Sequence, residues 1–143
     1  MVRTPTALVE SFYHDVWNTG DEVTARDILS EDFRFRGSLG PEKRGQDGFI
    51  EYMRSVRAAL GDYRCVIEDL IETEDRVAAR MTFKGTHRAP FFEVAATGKV
   101  IEWAGAAFFT IHDGRIAALW VLGDVDAVKQ QLGSSAGSGF SAG

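Results

Sequence analysis

Asp124 is the side chain in this sequence best placed by its neighbours to move a proton. It closes the apolar run Arg115 to Gly123, which follows the dipeptide Asp113-Gly114. Asp-Gly between two apolar runs signals a tight hairpin, because both central residues of a type I′ turn need positive φ. With those residues as the loop, His112 faces Arg115, Phe109 faces Ala118, Ala107 faces Trp120 and Trp103 faces Asp124. Alternation then gathers Trp103, Gly105, Ala107 and Phe109 on one face with Asp124, Leu122, Trp120 and Ala118. A carboxylate beside two tryptophans is partly stripped of water, which suits it to general acid–base work. The competing reading is structural: an Asp before a helix beginning at Val125 caps it by accepting an N–H two or three residues on. Both roles can coexist in one residue.

His87 is the second candidate. It stands in phase with the apolar residues Val77, Ala79, Met81 and Phe83, whereas His14 lies off a helix's apolar face and His112 abuts the turn. A lone histidine on such a face is commonly a hydrogen-bonded core residue. Turned into a cavity, it would hold a substrate carbonyl or share the proton traffic. Around these two polar groups, Phe12, Tyr13, Trp17, Phe49, Met53, Phe83, Phe91, Trp103 and Trp120 are expected both to build the core and to line a pocket. Small-molecule sites are mostly apolar with few polar groups. Arg80 is out of phase and should face away.

The elements that position these residues follow from periodicity. Leu8, Val9, Phe12, Tyr13, Val16 and Trp17 predict one helix over Thr6 to Asn18, ended by Gly20. Asp21 can cap a shorter helix reaching Leu29, and Asp32 to Arg36 alternates as a short strand. Phe49, Ile50, Met53, Val56 and Leu60 predict a helix from Gln46 to Leu60, with Gly61 as its C-terminal glycine. The period then becomes strand-like, over Tyr63 to Glu72, Arg76 to His87, Lys99 to His112 and Arg115 to Gly123. A last helix spans Val125 to Leu132. Helices followed by antiparallel strands predict an α+β domain over residues 1–133, N-terminal helices packed on a curved, mostly antiparallel sheet. The Gly/Ser-rich stretch 134–143 is expected to be a flexible tail. The helices can cover only one sheet face. The other carries Ala104, Ala106 and Phe108 beside Ala117, Leu119 and Val121, and predicts a homodimer.

Composition removes several function classes. The 16 basic residues are scattered and outnumbered by 21 acidic ones, giving a net charge of −5, which argues against nucleic acid as a partner. The single cysteine, Cys65, has no internal disulfide partner. No metal-ligand spacing, phosphate loop or nucleotide fingerprint is present, so neither metal nor cofactor is expected. No apolar run approaches the ~20 residues of a membrane span, and no secretory signal is apparent. A cytoplasmic protein acting on a hydrophobic small molecule is the expectation.

Three stretches, VWNTGD at 16–21, RVAARMTFKGTHRAPFFEVAATGK at 76–99 and DGRIAALWVLGD…QQLG at 113–133, occur in the order of the SnoaL-like polyketide cyclase family. The chain resembles that family, a branch of the nuclear-transport-factor-2-like (NTF2-like) superfamily, from Thr6 to Gly133. The resemblance implies a cone-shaped α+β fold and a cofactor-independent, intramolecular aldol-type ring closure. Asp124 matches the family's general acid/base and His87 the histidine of its GTH segment. The chain departs from the family pattern at Ala118 and Leu119, where Glu-His often precedes the tryptophan, at Thr110, often basic, and at VAATGK, often near IPPTGK. Two alternatives stand beside the cyclase: a small-molecule binding protein without chemistry, and another NTF2-like isomerase, dehydratase or epoxide hydrolase.

Overall fold

The computed structural model describes residues 3–38 and 42–133, so the expected tail at 134–143 lies outside the described residues. Thr4 opens the first helix, α1 (Pro5–Ser11): its hydroxyl accepts the Ala7 N–H at 3.0 Å, and Pro5 takes the first turn, where its missing N–H costs nothing. The single helix expected over Thr6 to Asn18 is in fact two. α1 runs into a π-helical segment, Phe12–Trp17. Hydrogen bonds reaching five residues widen that turn, and Phe12, Tyr13, Val16 and Trp17 are all buried. Asp21 then caps α2 (Glu22–Ile28), accepting the Thr24 N–H at 2.9 Å.

The rest of the chain runs β1 (Leu29–Arg36), β2 (Lys43–Arg44), α3 (Gly45–Ala59), β3 (Leu60–Glu72), β4 (Arg76–His87), β5 (Val100–His112), β6 (Arg115–Gly123) and α4 (Val125–Leu132). One six-stranded sheet has the order β2-β1-β6-β5-β4-β3. Every neighbouring pair is antiparallel except β1 with β6. Periodicity shows that a segment is a strand but not which strand it meets, so this parallel pairing was not foreseen. Nor does Gly61 end a helix as expected. α3 passes at Leu60 directly into extended backbone, and Gly61 pairs with Thr86 in the sheet. Irregular pairings in β1, β3 and the β5–β6 hairpin bend the sheet, giving the expected curved α+β arrangement. Helical rings meet its inner face: Phe12 lies against Phe109, and Trp17 against Tyr63.

The hairpin that orders the site departs from its expected register. Asp113 and Gly114 have φ of 51° and 73°, as a type I′ turn requires, and His112 does pair with Arg115. Ile111 then pairs with Ile116 but Thr110 with Ala118, so Ala117 is an extra, bulged residue. Every later pair slips by one: Phe109 meets Leu119, Phe108 meets Trp120, Ala107 meets Val121 and Gly105 meets Gly123. A slip of one residue exchanges the two faces of a strand. The bulge lets Ile116 and Leu119, three residues apart, both turn inward, where they are 0% and 3% exposed. Trp120 and Leu122 go to the outer face, 44% and 54% exposed. Trp103 therefore does not face Asp124, and the two tryptophans do not flank it.

Candidate functional site

The curved sheet and the helices close around a cavity of about 580 Å³, counted out to its open mouth. Each wall has a sequence origin. The π segment supplies Phe12, Tyr13 and Trp17, α3 supplies Tyr52 and Val56, and β3 supplies Tyr63. Phe83 of β4, Trp103 of β5, and Leu119 and Val121 of β6 come from the inner sheet face. Phe35, Gly37 and Ser38 close the β1 end, while Phe91, Phe92, Val125 and Val128 come from the β4–β5 connection and α4. Rings meet edge to face across these walls, Trp17 with Tyr63 at 5.4 Å and Tyr63 with Trp103, tilted, at 6.3 Å.

All three tyrosines of the chain stand in these walls. Burial pushes the Tyr13 and Tyr63 phenols well above their ordinary value, with electrostatic interaction with Cys65 adding to it. Burial alone pushes Tyr52 up to about 12. These phenols stay protonated at any physiological pH and can donate hydrogen bonds. Among the described residues, the Tyr13 hydroxyl is the buried side-chain polar atom without a partner. Cys65 lies beside Tyr63, its thiol pushed up by burial and inert as a nucleophile. Among the described residues, the lining contains no carboxylate and no imidazole.

Of the expected pocket residues, Phe12, Tyr13, Trp17, Phe83, Phe91 and Trp103 line the cavity. Phe49 and Met53 do not. They are buried one layer back, Phe49 with its ring against Phe12, Trp17, Phe33 and Phe35. Trp120 is on the opposite face of the sheet, beside Phe108 at 5.9 Å and beneath the Arg36 guanidinium at 5.3 Å. Leu119 and Val121 were assigned to that outer face only because the bulge carried no sequence signal. Tyr52 and Tyr63 were legible: Tyr52 is one helical turn from Phe49, and Tyr63 alternates in phase with buried Cys65. Arg80, His14 and His112 are exposed, as expected.

His87 is fully buried and lies outside the lining. The Thr97 N–H donates to its Nδ1 at 3.2 Å, and Val94 O stands 3.1 Å from its Nε2. That pair fixes the neutral tautomer protonated on Nε2, which donates to Val94 O. Main-chain bonds from His87 to Lys99 and Gly98 close the same loop. His87 thus ties down residues 88–99, the loop that carries Phe91 and Phe92 into the wall. Asp124 is exposed and caps α4, its Oδ1 accepting the Ala127 N–H at 3.0 Å, while its own N–H donates to Ala104 O. It stands at the cavity rim, because Val121 and Val125 on either side of it are lining residues. Past the end of β6, Gln131 continues the sheet bonding: its amide donates to Glu102 O at 2.7 Å and accepts from Glu102 N at 2.9 Å, docking α4 on β5.

The profile of the family described as SnoaL-like polyketide cyclase matches residues 7–132. The chain belongs to the SnoaL-like polyketide cyclase family. Among solved structures, TsrD from Streptomyces laurentii is 27% identical, with a TM-score of 0.81 over 91% of this chain and 95% of that one. IdmH from Streptomyces antibioticus, a candidate polyketide cyclase, is 26% identical, with a TM-score of 0.81 over 92% and 100%. A candidate SnoaL-like polyketide cyclase from Jannaschia sp. CCS1 shares the fold at 18% identity, with a TM-score of 0.84 over 94% and 99%. No curated protein matches the chain significantly. This SnoaL-like chain has an α+β fold of the NTF2-like kind, and among its described residues no helix is long and apolar enough to cross a membrane.

Proposed function

We propose that this SnoaL-like protein binds a hydrophobic, carbonyl-rich molecule of polyketide type in its aromatic cavity and closes a ring within it by an aldol-type step. The observation that carries the reading is the wall itself: aromatic rings packed edge to face or tilted, with hydroxyl and indole donors as the polar side-chain groups among the described lining residues. Such a surface holds a flat unsaturated body and hydrogen-bonds its oxygens. Asp124, at the rim, takes a proton from a carbon flanked by carbonyls. The C–H electron pair becomes the enolate double bond and the carbonyl pair moves to oxygen. The enolate carbon attacks a second ketone of the same molecule, the first carbonyl re-forms, and Asp124 returns its proton to the new alkoxide. The atoms balance without any cofactor. Oδ1 accepts the Ala127 N–H and the second carboxylate oxygen takes the proton, while His87 acts through the loop it fixes.

One observation favours a second reading, a binding protein without chemistry. Leu119 lines the cavity at the position where the family resemblance places a histidine, so the described wall residues include no imidazole or carboxylate. Deuterium uptake at C2 of 1-tetralone in D2O, followed by NMR, separates the two. Uptake above the buffer rate supports the enzyme; binding with uptake at the buffer rate refutes it in favour of the binder.

The outer sheet face supports a homodimer. Phe108, Trp120 and Leu122 are exposed there, side by side across the β5–β6 pairing, with Ala104 and Ala106 on the same face of β5. Apolar surface of this kind marks an interface, and a second copy offers the self-complementary match that a two-fold dimer needs.

A further inference from the structure

Gly123 ends β6 on the inner face, opposite Gly105. A β-carbon at this position would lie 2.7 Å from Ser38 Oγ and 3.2 Å from Trp103 Nε1. These two atoms come from separate parts of the chain, Ser38 from the turn after β1 and Trp103 from near the start of β5. Both residues are half-buried and both line the cavity. With no β-carbon at 123, a hydroxyl and an indole N–H pack against the same α-carbon and lie side by side on the cavity wall.

The chemistry of the pair is one-sided. An indole N–H can only donate and a serine hydroxyl can donate alongside it, so the pair fits an acceptor oxygen. Two fixed donors on one point also hold an oxygen more strongly as it gains negative charge. Asp124 follows Gly123 in the chain, so the pair of donors lies near the group assigned to proton transfer.

We propose that Ser38, Trp103 and Gly123 form an oxygen-binding cradle that positions a carbonyl of the ligand and stabilises the enolate oxygen formed from it. The proposal rests on the reading of the cavity as the ligand site. It explains why residue 123 is glycine: an alanine methyl would push the Ser38 hydroxyl away from the indole N–H. That displacement is easy for a short rotatable side chain, so the substitution empties the cradle of its donor without disturbing the sheet.

The test compares 1-tetralone with tetralin, bicyclic probes of matched shape that differ by one ketone oxygen, by isothermal titration calorimetry. The wild-type protein is expected to prefer the ketone roughly tenfold, the worth of a hydrogen bond retained in an apolar site. Ser38→Ala and Gly123→Ala are expected to bring that preference close to unity while binding tetralin within about twofold of wild type, which also shows that both variants fold. The carbonyl stretch of bound 13C-labelled 1-tetralone should lie lower in wild type than in either variant. Retention of the preference in both variants overturns the cradle and leaves the cavity reading standing. Loss of the preference in Tyr13→Phe alone also overturns it, by sending the oxygen to the Tyr13 hydroxyl. Binding of neither probe by the wild-type protein overturns the cavity reading together with the cradle.

Discussion

Asp124 caps α4 and is proposed to move the proton, and a pair of substitutions separates the two roles. Asparagine caps a helix about as well as aspartate, whereas alanine cannot accept the Ala127 N–H at all. The bond at stake is 3.0 Å long and opens an eight-residue helix that brings Val125 and Val128 to the cavity. Losing such a cap costs about 1 kcal/mol. At about 2.1 cal/mol/K of unfolding entropy per residue, a chain of 143 residues has roughly 0.3 kcal/mol/K, so Asp124→Ala should melt roughly 3 °C below wild type. Asp124→Asn forfeits only the charge at the helix N-terminus, about 0.5 kcal/mol and therefore less than about 2 °C. Proton transfer should respond in another order. Either variant should slow deuterium uptake at C2 of 1-tetralone by a factor of about 10² or more, the usual worth of a positioned base. Calorimetric melting and NMR exchange on the same samples decide both points. An Asp124→Asn protein that exchanges at the wild-type rate removes Asp124 from the chemistry. An Asp124→Ala protein that melts with wild type shows that the cap does not hold α4.

Three further outcomes are expected. His87→Phe keeps the ring's bulk but loses its bonds to Thr97 and Val94; a loss of about 2–3 kcal/mol, faster amide exchange over residues 88–99 and weaker ligand binding should follow, and an unchanged melting curve would show that the ring does not anchor the loop. The tyrosines make stability depend on alkaline pH. Their folded-state values are raised, Tyr52 to about 12, so their contribution is complete below the unfolded value of ~10 and is lost as pH climbs from there through the folded value. Absorbance at 295 nm should accordingly show no native tyrosinate step near pH ~10, and a full three-tyrosine step there would contradict the burial. Trp120→Glu on the outer face should raise the dimer dissociation constant about 30-fold or more, as loss of a central interface tryptophan does, with little change in melting temperature; a wild-type protein that sediments as a monomer at all concentrations would refute the dimer.

Much of the architecture was legible because each signal was local. Asp113-Gly114 forms its turn from two positive φ angles that only such residues accept readily. Asp21 and Asp124 cap helices through bonds spanning three residues. The alternation of Val77, Ala79, Met81 and Phe83 with Ala78, Arg80, Thr82 and Lys84 is reproduced as the two faces of β4. His87 keeps that phase, and its two ring nitrogens find partners in a loop no more than ten residues away.

What the sequence alone determined about this protein is the set of segments, their order, their caps and turns, and which residues of most segments are buried. These follow from the chain's short-range geometry and the period of its apolar residues. The cavity was decided only by tertiary structure. Both apolar sets of β6, Ile116-Ala118-Trp120-Leu122 and Ala117-Leu119-Val121, could have faced the core, and the choice came from packing against Phe109 and Ala107 through a bulge at Ala117. That single extra residue put Leu119 and Val121 in the wall, sent Trp120 outside and left Gly123, rather than Asp124, facing Trp103. Periodicity cannot foresee it, because a bulge relieves a conflict between two strands and is written in neither of them alone.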